Sequence, residues 1–86
     1  MPMVVIEIAL RDSNGNENIA GKLIVDDNPH PFDLPANKML SINPGKCRLE
    51  ARCAGRSING ENPREVQVMV PIDPNAPAQK VIFDVL

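Results

Sequence analysis

The clearest strand pattern in the sequence runs from Lys38 to Cys53 and reads KMLSINPGKCRLEARC. On both sides of Pro44-Gly45, apolar and polar residues alternate with a period of two, which is typical of half-buried β-strands. If Pro44-Gly45 form a two-residue turn, Ile42 faces Cys47 and Leu40 faces Leu49, so the core-facing apolar residues of the two strands meet each other. The stretch therefore predicts a β-hairpin with these two strands: Lys38–Asn43 and Lys46–Cys53.

The same alternation recurs in both directions from this hairpin, in short runs rich in Val and Ile that are separated by Pro, Gly, Asn and Asp. No window shows the 3.6-residue period of a helix. The other predicted strands are Met3–Leu10, Asn18–Asp26, Phe32–Leu34, Arg64–Val70 and Gln79–Leu86. The pattern predicts one all-β domain over residues 1–86, an antiparallel β-sandwich of about seven short strands with little or no helix. Its expected core is Ile6, Ile8, Leu23, Val25, Leu40, Ile42, Leu49, Val66, Val68, Val81 and Phe83.

The composition excludes most catalytic schemes. The 86 residues include no Trp, no Tyr, two Phe and one His, and they carry a formal net charge of −2. The single imidazole, His30, lies between two prolines with no Ser or Cys near it in sequence, which favours a solvated loop histidine over a general base. The missing aromatic residues also leave no stacking platform for single-stranded nucleic acid. We therefore predict that the protein is not an enzyme and has no cofactor.

Two motifs have both a chemical and a structural interpretation. Asp12-x-Asn14-x-Asn16 resembles a calcium loop, but it lacks the Gly and Glu that such a loop requires, and Asx-turns explain the same residues. Cys47 and Cys53 would lie on the apolar side of one strand about 20 Å apart, which is too far for a disulfide. We predict two buried free thiols and no metal site.

The beginning of the sequence lacks a basic leader, and its apolar run is interrupted at Glu7. A secretory signal needs a longer apolar region and a small-residue cleavage site. No stretch approaches the roughly 18 apolar residues of a membrane helix. The expected location is the cytoplasm, without membrane attachment.

Four segments carry a family resemblance. In chain order they are Asp12-x-Asn14-Gly15, Ile19-x-Gly21-x-Leu23-x-Val25-Asp26, Ile42-x-Pro44-Gly45-Lys46-x-x-Leu49 and Gly55. Their order and spacing resemble the transthyretin-like, carboxypeptidase-regulatory-like β-sandwich modules over about the first two-thirds of the chain. The resemblance implies an immunoglobulin-like or prealbumin-like sandwich with a non-catalytic binding or structural role.

The basic residues are concentrated in residues 46–64, which hold five cations and two carboxylates, while the rest of the chain sums to −5. Arg48 and Arg52 alternate with core residues and are expected to face outward. One interpretation is a basic stripe for an anionic ligand or nucleic acid. The other is a solvated strand face paired with Glu7, Asp84 or Glu65, which the acidic total and the missing aromatics favour. Nucleic acid is therefore not the expected partner.

Several apolar residues fall opposite the core-facing set, about one per strand: Val5, Ile24, Met39, Met69 and Ile82. If the fold brings them together, they form an apolar patch with a charged rim, which is typical of a partner surface. The leading hypothesis is a non-enzymatic protein-interaction or structural assembly module that acts through sheet faces or edges. The alternative is a binder of an anionic ligand or nucleic acid through residues 46–64. The candidate partner-binding residues are Arg48, Arg52, Met39, Met69 and Ile82.

The C-terminal strand Gln79–Leu86 contains no proline, and its only charged residues are Lys80 and Asp84. Natural edge strands are usually blunted by proline, bulges or charge. An unblunted terminal strand predicts a homodimer through this edge, or through the outer apolar face. Alternatively, the strand lies at the centre of its sheet and needs no partner.

Overall fold

The computed structural model describes residues 3–86, which form eight strands and no helix. The all-β prediction is confirmed for these residues. A two-residue strand in the predicted polar loop is the one that sequence periodicity missed, because two residues are too few to show alternation. The strands are β1 (Val4–Arg11), β2 (Gly21–Val25), β3 (Phe32–Leu34), β4 (Met39–Ile42), β5 (Gly45–Arg52), β6 (Ile58–Asn59), β7 (Arg64–Val68) and β8 (Gln79–Val85).

The strands form two four-stranded sheets. Sheet A has the order β4-β1-β8-β6, and sheet B has the order β3-β2-β5-β7. Residues from both sheets belong to one hydrophobic cluster, as expected where the apolar faces of two sheets meet. This arrangement is consistent with the predicted β-sandwich. Its most deeply buried side chains are Phe83, Ile6, Ile8, Leu10, Leu23, Leu49 and Val68.

The predicted core is confirmed for all but two of its residues. Val25 and Val66 are partly buried and pack against the cluster from its margin. The predicted strand extended to Val70, but β7 ends at Val68 and the Val70 side chain is exposed. Cys53 lies beyond the end of β5 and is only half-buried, whereas Cys47 is buried, and both thiols are free.

The predicted hairpin is wrong. β4 pairs with β1 in sheet A, where Ile42 is opposite Val4. β5 pairs with β2 and β7 in sheet B, where Cys47 is opposite Val66. The short connection between β4 and β5 therefore passes from one sheet to the other, and Gly45 completes it with a φ of 112°, a conformation that favours glycine. Alternation shows only which side chains face the core. The same alternation is expected for two strands that are hydrogen-bonded in one sheet and for two strands that face each other from different sheets.

The expectation of purely antiparallel pairing is also wrong for one pair. β1 and β8 run parallel, from Ile6 opposite Gln79 to Arg11 opposite Asp84. β8 follows β7, a strand of the other sheet, so the chain enters sheet A at the end where β1 begins. β8 is consequently a central strand, covered by β1 on one side and by β6 at its C-terminal end on the other. The prediction that the C-terminal strand forms a sheet edge is therefore wrong.

One end of the molecule is built from three connections. β2 and β4 end there, β1 and β8 begin there, and the end of β7 is opposite the beginning of β5. We call this the loop end. It consists of Met3 and residues 26–31, 43–44 and 69–78.

Candidate functional site

The predicted basic stripe lies on the outer face of sheet B, where its cations are neutralised by carboxylates. Arg48 and Arg52 project from β5 beside β2 and β7. Each lysine or arginine on this face has an acidic partner, so the face presents alternating charges rather than a basic field. The ion pairs are Lys46–Glu65 at 3.9 Å, Arg48–Asp27 at 3.3 Å, Arg52–Glu50 at 2.7 Å, and Lys22–Asp33.

Arg64, the last residue of the basic segment 46–64, is turned away from this face. Arg64 stands in register with the buried Leu49, and its guanidinium lies 4.5 Å from the centroid of the Phe83 ring. The same guanidinium donates a hydrogen bond of 2.9 Å to the carbonyl oxygen of Ile82. A cation held in this way contributes to packing between the sheets and not to an outward stripe.

Two of the three expected acidic partners lie on the other sheet. Glu7 and Asp84 belong to sheet A, where Glu7 is 3.6 Å from Lys80 and Asp84 is 3.0 Å from Arg11. Their expected pairing with the basic stripe is wrong, because β1 and β8 share no sheet with β5. Glu65 is a partner of the stripe, as expected.

The five candidate partner-binding residues do not form one surface. Arg48 and Arg52 lie on the outer face of sheet B. Met39 and Ile82 lie on the outer face of sheet A, in register with Glu7 and Ala9. Met69 follows β7 and belongs to the loop end. The expected single apolar patch with a charged rim is therefore divided among three regions.

The loop end carries a different group of exposed apolar side chains. Met3, Met69, Val70 and Ile72 are each at least 60% exposed, and Ile72 projects fully into solvent at 103%. The predicted partner-binding residues included neither Val70 nor Ile72. Their position in a proline-rich segment was the available signal, because proline prevents the continuation of β7 that would have buried them.

A groove of about 580 Å³, lined in part by Met3, opens between the β2–β3 and β4–β5 connections. Its walls include Phe32, Ile42, Pro29 and Cys47. Burial and, to a lesser extent, the nearby Asp26 carboxylate together raise the pKa of the Cys47 thiol to about 11. The thiol is therefore protonated at neutral pH and is a poor nucleophile.

The remaining polar motifs have structural roles. The Asp12 carboxylate accepts hydrogen bonds of 2.9 Å from the backbone N–H groups of Asn14 and Asn16, which confirms the Asx-turn interpretation. His30 is exposed, and its backbone N–H bonds to the Asn28 side chain. Within residues 3–86, no group of three or more His, Cys, Asp or Glu side chains is placed to hold a metal ion. The same residues contain no helix that is long and apolar enough to cross a membrane.

Comparisons with known proteins add no family to this description. The sequence matches no protein-family model and no curated protein.

Proposed function

We propose that this chain is a non-enzymatic protein-interaction or structural module that binds a protein partner through its loop end. The observation that carries the proposal is the exposed apolar group Met3, Met69, Val70 and Ile72 at one end of the molecule. Four of the seven large hydrophobic residues that are exposed in the described chain belong to this end, and a concentration of exposed apolar surface is typical of protein-binding sites.

The construction of the loop end supports this proposal. Connections that project from rigid sheets commonly carry the binding residues of a domain, because the sheets hold them in place. The groove beside the β4–β5 connection gives the surface a concave element next to its apolar side chains. A transthyretin-like, carboxypeptidase-regulatory-like module of the prealbumin or immunoglobulin type fits this role. The free thiols Cys47 and Cys53 fit a reducing compartment such as the cytoplasm.

The alternative is an anionic ligand or nucleic acid bound through residues 46–64. The ion pairs of Arg48 and Arg52 weigh against it, because an anion would have to displace Asp27 and Glu50. A gel-shift at low salt distinguishes the two proposals. Strong, salt-sensitive binding that is lost on Arg48→Glu and Arg52→Glu would favour the alternative.

Site-specific photo-crosslinking in cells of the source organism tests the leading proposal. A photoreactive residue replaces Ile72, and the matched control replaces Leu86, which is 70% exposed but lies at the end of β8 farthest from the loop end. We expect Ile72 to crosslink to one defined protein, with the yield reduced by excess unmodified chain, and Leu86 not to do so. The same crosslinked species from both positions would contradict the proposal.

A further inference from the structure

Four strands lie at the edges of the two sheets, and three of them are closed to further pairing. β3 is three residues long and is flanked by Pro31 and Pro35. β6 consists of two residues. On β7, the side-chain amide of Gln79 bonds to the Gln67 carbonyl oxygen and the Met69 N–H at 2.9 Å and 3.2 Å. Short length, flanking proline and occupied backbone groups are the ways in which natural edges avoid pairing.

The fourth edge, β4, is also short at four residues, but within the described chain it has no adjacent proline and no side chain bonded to its outward backbone groups. The Ile8 N–H donates to the Lys38 carbonyl oxygen, so this carbonyl and the backbone groups of Leu40 and Ile42 point toward β1. Met39 and Ser41 alternate with them and direct their N–H and carbonyl groups away from the sheet. The side chains of Met39 and Ser41 are exposed and uncharged.

We propose that β4 pairs with β4 of a second copy of this chain, antiparallel about a two-fold axis near Ser41. In this register Ser41 faces Ser41 of the second copy, Leu40 faces Ile42, and Met39 faces Asn43. Each outward N–H then meets a carbonyl oxygen, and the two copies of sheet A become one continuous sheet. The inference does not depend on a partner at the loop end.

The alternation of β4 selects this class of register. Leu40 and Ile42 are buried against the core, while Met39 and Ser41 face outward. Residues opposite each other share a face of the sheet, so a shift by one residue would place Leu40 opposite an outward residue and is excluded. The chosen register opposes only uncharged residues, and it avoids the like-charge contacts that would oppose self-pairing.

The groove provides room beside this edge. Ser41, Ile42 and Asn43 form one wall of the open groove of about 580 Å³, so the edge is not covered by sheet B. An added strand satisfies outward backbone groups at an accessible edge, and a second copy supplies a strand that is already extended and complementary.

Sedimentation of the purified full chain tests the proposal. Ser41→Pro removes an outward N–H at a position where proline is tolerated, and Ser41→Ala is the matched control that retains it. Ser41→Lys is a second variant, because it places two ammonium groups face to face across the axis. We expect a dimer for the wild type and for Ser41→Ala. For Ser41→Pro and Ser41→Lys, we expect the dissociation constant of the dimer to rise by about tenfold or more. Ser41→Pro removes one intermolecular hydrogen bond in each copy, and Ser41→Lys adds repulsion between the two copies.

A disulfide between copies tests the register. In a background with Cys47→Ala and Cys53→Ala, Ser41→Cys places two thiols across a hydrogen-bonded pair with a Cα separation of about 5.5 Å, which a disulfide can span. The control is Ser57→Cys, which is equally exposed but lies just before β6. We expect oxidised dimer from Ser41→Cys well before it forms from Ser57→Cys.

A wild type that remains monomeric at millimolar concentration would overturn the proposal, as would a dimer that persists in both Ser41→Pro and Ser41→Lys.

Discussion

Gly21 shows, at the scale of single residues, how closely the sheets pack. A Cβ atom at this position would meet the Leu10 side chain of sheet A and would lie 2.6 Å from the Arg52 carbonyl oxygen. Only glycine allows β2 to approach both β1 and β5 here, so the resemblance motif Ile19-x-Gly21-x-Leu23 has a packing reason in this fold.

We expect Gly21→Ala to lower the free energy of unfolding by about 1–3 kcal/mol, because the added methyl group forces a shift of neighbouring backbone. Urea denaturation measures this change. Lys22→Ala is the control, because it also introduces an alanine into β2 but places it on the outer face of the sheet. Equal stability of Gly21→Ala and the wild type would show that the sheets can separate at this point.

Cys47 gives a residue-scale prediction for pH. The folded thiol has a pKa of about 11 because of its burial, above an ordinary value of 9.0. Protons are then bound more tightly by the folded than by the unfolded chain, so the stabilisation is present below pH 9 and is lost as the pH rises toward 11. We expect Cys47→Ala to reduce this alkaline loss of stability in denaturation curves measured across that range, while Cys53→Ala leaves it unchanged.

Among the connections between strands, the one between β1 and β2 is held by an ion-pair cluster of Lys80, Glu17 and Glu7. The Lys80 ammonium lies 2.7 Å from the Glu17 carboxylate and 3.6 Å from Glu7. The hydrogen bond between Lys80 and Glu17 raises the pKa of Lys80 and lowers the pKa of Glu17. Glu17 is next to Asn18, which forms a bridge with Leu10, so the cluster holds this connection beside sheet A.

We expect Glu17→Gln to accelerate amide hydrogen exchange in residues 12–20, with the two sheets unaffected. Because the folded pKa of Glu17 is lowered, its contribution is present at neutral pH and is lost as the pH falls through that value. Exchange of the wild type, corrected for intrinsic rates, should therefore approach that of the variant in acid. Glu61→Gln, a substitution in another exposed loop, is the control. Unchanged exchange in residues 12–20 would show that the Asx-turns alone hold this connection.

In the molecule as a whole, one side of the two-sheet fold is closed by side chains that bond from one sheet to the other. Gln79 of β8 holds the edge of β7, and Arg64 of β7 contacts Phe83 and the Ile82 carbonyl of β8. Both contacts join sheet A to sheet B without any strand pairing between them. The opposite side contains β3 and the proposed pairing edge, β4.

We expect Gln79→Ala to lower the free energy of unfolding by about 1 kcal/mol, because it removes two hydrogen bonds that are partly exposed. It also frees the backbone groups of β7, so we expect additional, concentration-dependent association in light scattering. Gln67→Ala is the control, since the Gln67 side chain is exposed on the outer face of sheet B. Equal stability and association of the two variants would contradict a closing role for Gln79.

The positions of most strands and the directions of most side chains follow from the amino-acid pattern alone. The alternation around Leu40, Leu49 and Val81 identified buried residues correctly, and the prolines around Phe32–Leu34 marked an edge strand that the structure contains. These properties are local, because a period of two follows from the pleat of each strand and holds whichever strand lies beside it. An all-β fold without helix could therefore be predicted from the sequence.

Which strands pair and which charges meet depends on contacts between residues far apart in the sequence. β4 and β5 separate into different sheets, β1 and β8 run parallel, and Arg64 turns inward while Arg48 finds Asp27. Every strand offers the same backbone donors and acceptors, so alternation alone does not specify its neighbour. The candidate surfaces depend on these non-local choices, since pairing partners decide that Ile72 projects at the loop end and that β4 remains an edge.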